Sequence, residues 1–503
     1  MHHKNKKLLQ EALHGRGLLN TRRQFLSKCM LGVGGIALGS LLGSCASKDE
    51  TTPKLTNANT FDSQNPMAAK MPHFAPKAKA VIYLHMAGAP SQLELFDYKP
   101  ELAKLNGQDC PPSFLEGKKF AFIRGVPKML GPQAKFQQHG ESRAWISEYL
   151  PYHSLIADEI TFLKGVTTDQ FNHAPAQLLM HTGSPRLGRP SMGSWVTYGL
   201  GSENNNLPSY VVLTSGGSNP SAGKSIWGSG FLPSVYQGVH CRSKGAPVLF
   251  IDDPDPVSRD LRKKSIEAIN RINQESYEEY GDPEILSRIS QYEMAYRMQV
   301  SVPEVMNINN EPEYIHQMYG TKPGQESFAN NALLARKLVE KGVRFVQLFD
   351  WGWDSHGTDP STSLDGGLLR KCRDTDQAVA ALILDLKQRG LLDETLVIWG
   401  GEFGRTPMAE NRGGVENPFK GRDHHGDGFT MWMAGGGIKG GYTHGETDEF
   451  GYSVLKGKVT AFDIQATVLH QLGFDHEAFT YPFQGRPFRL TDVEGELIRA
   501  IMA

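Results

Sequence analysis

Residues 343–357 read Val-Arg-Phe-Val-Gln-Leu-Phe-Asp-Trp-Gly-Trp-Asp-Ser-His-Gly. The apolar run is about a strand long, and the glycine after it stops it, so it reads as a strand buried on both faces of a sheet. Asp354 and His356 follow at once. In an open parallel sheet, ligands gather beyond the carboxyl ends of the strands. This stretch therefore predicts both the sheet and the edge on which chemistry would sit.

Working outward, comparable runs occur at 78–84, 209–214, 247–251, 395–399 and 430–434. Residues 367–389 repeat apolar positions at helical spacing, and Gly390 supplies the stop. Residues 255–300 are strongly charged and helical, and read as a helical segment inserted beside the sheet. Strands alternating with helices predict a three-layer α/β/α sandwich over a mainly parallel sheet.

The other strand ends carry the same residue types. His85 follows the first run, ahead of Gly88-Ala89-Pro90-Ser91. Gly400-Gly401-Glu402-Phe403-Gly404-Arg405 follows 395–399, and Arg422-Asp423-His424-His425-Gly426-Asp427 precedes 430–434. Taken singly, an Asp-x-His in a loop is a turn or a local hydrogen bond. Taken as a set on successive strand ends, these residues point to a site held by a rigid scaffold. Carboxylates mixed with imidazoles suit Zn²⁺ or Mn²⁺, and oxygen-rich sets admit Mg²⁺ or Ca²⁺. The expected ligands of a divalent metal are His85, Asp354, His356, Glu402, His424 and His425. Arg405 or Arg189 would grip an anionic group, since guanidinium pairs bidentately with such oxygens.

The chain has 503 residues and a formal charge of −1. Residues 1–44 hold seven bases and one acid, which leaves the remainder at −7. No basic stripe remains there for nucleic acid. Arg22-Arg23 stands before Phe25-Leu26, and the apolar run 30–42 is interrupted by glycines and too short for a good membrane span. It ends in Leu42-Gly43-Ser44-Cys45. This is the pattern of a twin-arginine signal (1–44) with lipid attachment at Cys45. Polar residues 45–76 read as a flexible tether, and residues 77–503 as the folded domain. The expected location is the cell envelope, facing the periplasm or the surface, with membrane contact only through the lipid.

The order of motifs resembles an exported bacterial family catalogued as domain of unknown function 1501, within the alkaline phosphatase-like superfamily that includes sulfatases. The resemblance covers nearly all of residues 78–503. It is carried by Gly88-Ala89-Pro90-Ser91 with Phe96-Asp97-Tyr98-Lys99-Pro100, by Gly228 to Pro233, by Trp353 to His356, by Gly401 to Pro407, and by 447–492. It implies an alkaline phosphatase-like fold, with Asp354 and His356 serving one metal and His424 or His425 the last metal-binding position. Glu402-Phe403 stands where the superfamily carries an Asp-His pair, and residues 463–473 resemble a sulfatase helix. Two positions depart from the pattern. His85 replaces a metal-binding aspartate. His173, followed by Gln177 in place of an arginine, occupies the place of a nucleophilic Cys or Ser that sulfatases oxidise. Imidazole can be a nucleophile, a general acid or a metal ligand; His173 and Arg405 are the expected catalytic residues, with His173 read as a metal ligand or as a hydrogen-bond donor to the substrate. Ser91 reads as a nucleophile or as a turn cap. The implied function is an exported metal-dependent hydrolase of phosphate or sulfate esters, acting on an anionic glycan. The alternative is a non-catalytic envelope lipoprotein of the same fold that binds such a glycan or a protein partner.

Overall fold

The computed structural model describes residues 56–57, 65–245, 247–248, 253 and 256–503. Arg22 and Arg23, expected in a signal, and Cys45, expected to carry a lipid, lie outside the described residues. So does most of the expected run 247–251.

The main sheet contains β1 (Ala80–Ala87), β2 (Ile160–Thr167), β3 (Tyr210–Ser215), β4 (Val239–Cys241), β5 (Phe345–Trp351), β6 (Thr395–Gly400), β7 (Phe429–Ala434), β8 (Tyr442–His444) and β9 (Val459–Thr460). Its order is β8-β2-β7-β6-β1-β5-β3-β4, with β9 also pairing to β2. The run from β6 to β4 is parallel throughout. β7 enters antiparallel to both β6 and β2, so the sheet is mixed at that end.

Alternation along β1 explains the layers. Ile82, Leu84 and Met86 join one core, and Val81 and Tyr83 the other, because successive strand side chains point to opposite faces. The first core is covered by α5 (Phe328–Glu340) and α6 (Leu369–Gln388). The second is covered by α1 (His173–Thr182), α2 (Met192–Leu200) and α7 (Ala461–Gln471). The result is the expected α/β/α sandwich. The charged insertion forms two long helices, α3 (Arg259–Tyr280) and α4 (Pro283–Met306). α3 buries only Ile266, which fits a helix beside the core. Among the described residues no helix is long and apolar enough to cross a membrane.

Two expectations are corrected. Residues 65–76 are not a free tether. Lys70 is 4% exposed, donates to the Tyr198 carbonyl at 2.7 Å and lies over the Tyr198 ring. The Tyr236 hydroxyl donates to the Pro66 carbonyl. A long stem with a charged tip finds both apolar cover and an acceptor on α2, so this stretch docks. Second, β1 runs to Ala87, so His85 lies within the strand and not beyond its end.

Candidate metal centre

Four side chains meet at the carboxyl edge of the parallel strands. His173 opens α1, Asp354 and His356 follow β5, and His424 stands shortly before β7. One ligand atom from each lies within 4.8 Å of all the others. His356 Nε2 is 2.8 Å from Asp354 Oδ1 and 3.2 Å from His424 Nε2. His424 Nε2 is 3.5 Å from Asp354 Oδ1, and His173 Nε2 is 3.3 Å from Asp354 Oδ2. Nitrogen and oxygen ligands about 2.0–2.1 Å from a tetrahedral ion stand ~3.3 Å apart. The donor spacings therefore match the edges of such a shell.

Each imidazole is turned by a partner on its other nitrogen. Nδ1 of His173 is 2.7 Å from Glu402 Oε1, Nδ1 of His356 bonds Glu410 Oε2, and Nδ1 of His424 donates to the Phe171 carbonyl at 2.6 Å. A carbonyl only accepts, so neutral His424 carries its proton on Nδ1 and its lone pair on Nε2. Burial pushes His424 down to about 4, which keeps it neutral. His173 is pulled down by burial, but the carboxylates of Asp354 and Glu402 outweigh that and raise it to about 9. His356 is raised in the same way by Asp354 and Glu410. Burial opposes charge on Asp354, yet Arg405 and the three histidines hold it well below the usual carboxylate range. The Nε2 of His173 is buried and has no hydrogen-bond partner. An orphaned nitrogen of that kind, facing a carboxylate and two more Nε2 atoms, fits a divalent ion. The cluster opens to solvent on one side, where the Asp354 side chain is 27% and His173 14% exposed.

The remaining expected residues fall elsewhere. Glu402 is fully buried and serves as a holder: its Oε1 accepts from His173, Gln177 Nε2 and the Gly88 amide. Bonds from His173 and His85 keep it well below the usual range despite burial. His85 lies behind Glu402, 3.3 Å from its Oε2, and packs edge-on against His181. His425 points away, donates to the Tyr452 carbonyl and stacks on that ring. Adjacent residues of a strand face opposite ways, so His424 and His425 cannot share the site. Arg405 is fully buried, and its three nitrogens donate to the carbonyls of Gly88, Ala89 and Arg422 and to Asp354. It positions Asp354 and offers nothing to a substrate. Arg189 bonds Asp492 and lies over Phe488, apart from the cluster. Ser91 is 0% exposed with its hydroxyl on Glu94, so it is no nucleophile.

The loop after β1 is shaped for this contact. Gly88 has φ 109°, and a Cβ there would lie 2.6 Å from the Asp354 amide nitrogen. Only glycine allows that approach. The next residue, Ala89, also has positive φ (61°), with its carbonyl tied to Arg405.

No sequence pattern marks Glu410. It lies 54 residues from the histidine it holds, in a loop without a strand pattern. His356, Glu410 and Asp423 also come within 4.8 Å of one another. The Asp423 oxygens, however, accept the amides of Phe122, Ile123 and His424. Asp423 thus pins the segment carrying Phe122, whose ring packs edge-on against His356 and His424.

The fold is similar to PsFucS1 sulfatase from Pseudoalteromonas sp. (12% identity, 80% of this chain and 68% of that one, TM-score 0.35). It is also similar to phosphonate monoester hydrolase SpPMH from Silicibacter pomeroyi (10% identity, 79% and 73%, TM-score 0.30). A third similar structure is the alkaline phosphatase from the Antarctic bacterium TAB5 (12% identity, 72% and 92%, TM-score 0.28). No curated protein matches the chain. The family model described as protein of unknown function DUF1501 matches residues 78–502, and the chain belongs to that family.

Proposed function

We propose that this protein is a metal-dependent hydrolase of phosphate or sulfate esters, exported by the twin-arginine route and tethered through Cys45. One observation carries the reading. Three histidines, each fixed at Nδ1, direct Nε2 toward one carboxylate at spacings that suit a bound ion. His173, Asp354, His356 and His424 would hold it, and three nitrogens with one oxygen favour Zn²⁺, then Mn²⁺. Such an ion supplies Lewis acidity at an ester oxygen. Glu402, Glu410 and the Phe171 carbonyl keep the imidazoles oriented, which sustains affinity and geometry. Arg405 holds Asp354 and the backbone of residues 88–89 in place. Phe122 shields His356 and His424 from water, while the side of Asp354 and His173 admits substrate. The expected substrate class is an anionic ester on a glycan outside the inner membrane.

A second reading rests on a specific observation. Four protein ligands close a tetrahedral shell, as in structural sites, which suits a non-catalytic envelope protein that binds an anionic glycan or a protein partner. One experiment separates the two. The purified chain is assayed for metal and for turnover of aryl phosphates and aryl sulfates. About one ion per chain with turnover lost on chelation supports the hydrolase. One ion without turnover supports the second reading, and no ion overturns both.

A further inference from the structure

We infer that ester hydrolysis at this centre is a single displacement by water, with no covalent enzyme intermediate. The inference rests on the hydrolase reading above. It comes from the state of the cluster's own side chains and of Ser91, Thr406, Ser355 and the described cysteines. His173 stands at the start of α1, but its Nδ1 is on Glu402, and its Nε2 is buried and aimed at Asp354 and the other two histidines. An incoming phosphorus or sulfur atom would have to displace those ligands to reach it. Asp354 is the most exposed of the four, yet Oδ1 is engaged by Arg405 and His356, and Oδ2 faces His173.

The nearby hydroxyls are sealed in the protein. Ser91 and Thr406 are 0% exposed and bond Glu94 and the Met408 carbonyl. Ser355 is 2% exposed and faces the Trp353 carbonyl. The described cysteines belong to apolar clusters: Cys241 and Cys372 to the core under α5 and α6, and Cys110 to a small satellite. Burial pushes their thiols up, Cys110 to about 11 and Cys241 to about 12. Among the described residues, no side-chain nucleophile at the centre is both reachable and unengaged.

Water is then the attacking group. Its oxygen forms the new bond to phosphorus or sulfur on the face opposite the leaving alcohol. The bond to the alcohol oxygen breaks with its electron pair on that oxygen, which takes up the proton released by the water. Ester and water become alcohol and inorganic phosphate or sulfate, and no oxidant or co-reactant is needed.

The test uses the metal-loaded chain with phenyl phosphate and phenyl sulfate carrying a stereogenic, isotopically labelled phosphoryl or sulfuryl group. Inversion of configuration is expected, and retention overturns this inference while leaving the hydrolase reading intact. Turnover of neither ester overturns the hydrolase reading and this inference with it. Two measurements do not depend on turnover rate. Intact mass after rapid quenching should show no chain heavier by one phosphoryl or sulfuryl group; such an adduct overturns the inference. His173→Gln should lose bound metal while keeping a native circular-dichroism spectrum. A folded His173→Gln variant with its full metal content would free His173 for attack and overturn it too.

Discussion

Two charged assemblies sit side by side in this molecule, and they differ in what they leave unfinished. In the first, Arg422 spends every donor. Nε and Nη2 bond the Glu94 carboxylate, Nη1 donates to the carbonyls of Leu130 and Thr406, and Nη2 also reaches Gly131. Both side chains are 0% exposed. Two residues further on, His424 belongs to the second assembly, where Nε2 atoms converge and the one on His173 faces Asp354 without a hydrogen bond. A saturated knot binds segments of chain together. A convergent set with unsatisfied atoms is prepared for something else.

The largest effect that tests this contrast is at Arg422. Arg422→Leu strands a buried Glu94 carboxylate and should cost ~3–5 kcal/mol of unfolding free energy. Urea denaturation should show the same loss with and without a chelator; a chelator-dependent loss would tie the knot to the ion and dissolve the distinction. Next comes the ion itself. With free metal 100-fold above Kd, chelation should lower wild-type stability by about 2.7 kcal/mol. Asp354→Asn should bind no metal and show no such change on calorimetry. A smaller step separates holders from ligands. Glu410→Gln and Glu402→Gln should still bind one ion per chain at saturation, with Kd weakened ~10–100-fold in a competition titration. Loss of stoichiometry in Glu402→Gln would return that residue to the ligand set. The smallest effect is at His425. His425→Phe keeps the ring on Tyr452, loses one hydrogen bond worth about 1 kcal/mol, and should leave metal affinity unchanged.

Much of this was legible in the chain. Residues 345–351 and 395–400 are apolar because a parallel strand is covered on both faces, so composition alone announces them. The strand Ile160–Thr167 is masked in the sequence because Lys164-Gly165 interrupts its run; Lys164 is accommodated beside Asp97. His85 follows the apolar run yet lies inside the strand, because the end of an apolar run does not mark where hydrogen-bonded pairing stops. Glu402 passed for a ligand, since a strand-end carboxylate looks the same whether it meets an ion or a histidine.

The sequence by itself determined the sandwich, the edge of the sheet on which the histidine and aspartate cluster lies, and the residue types assembled there, because strand and helix periodicities and the residues flanking them are local properties. Only the tertiary structure decided which imidazoles converge, that His173 joins Asp354, His356 and His424, that Glu402 and Glu410 stand behind them, and that Arg405 turns inward. Those outcomes depend on distances of a few ångströms between segments separated by as many as 317 residues along the chain. No local pattern encodes such distances; packing of the layers sets them.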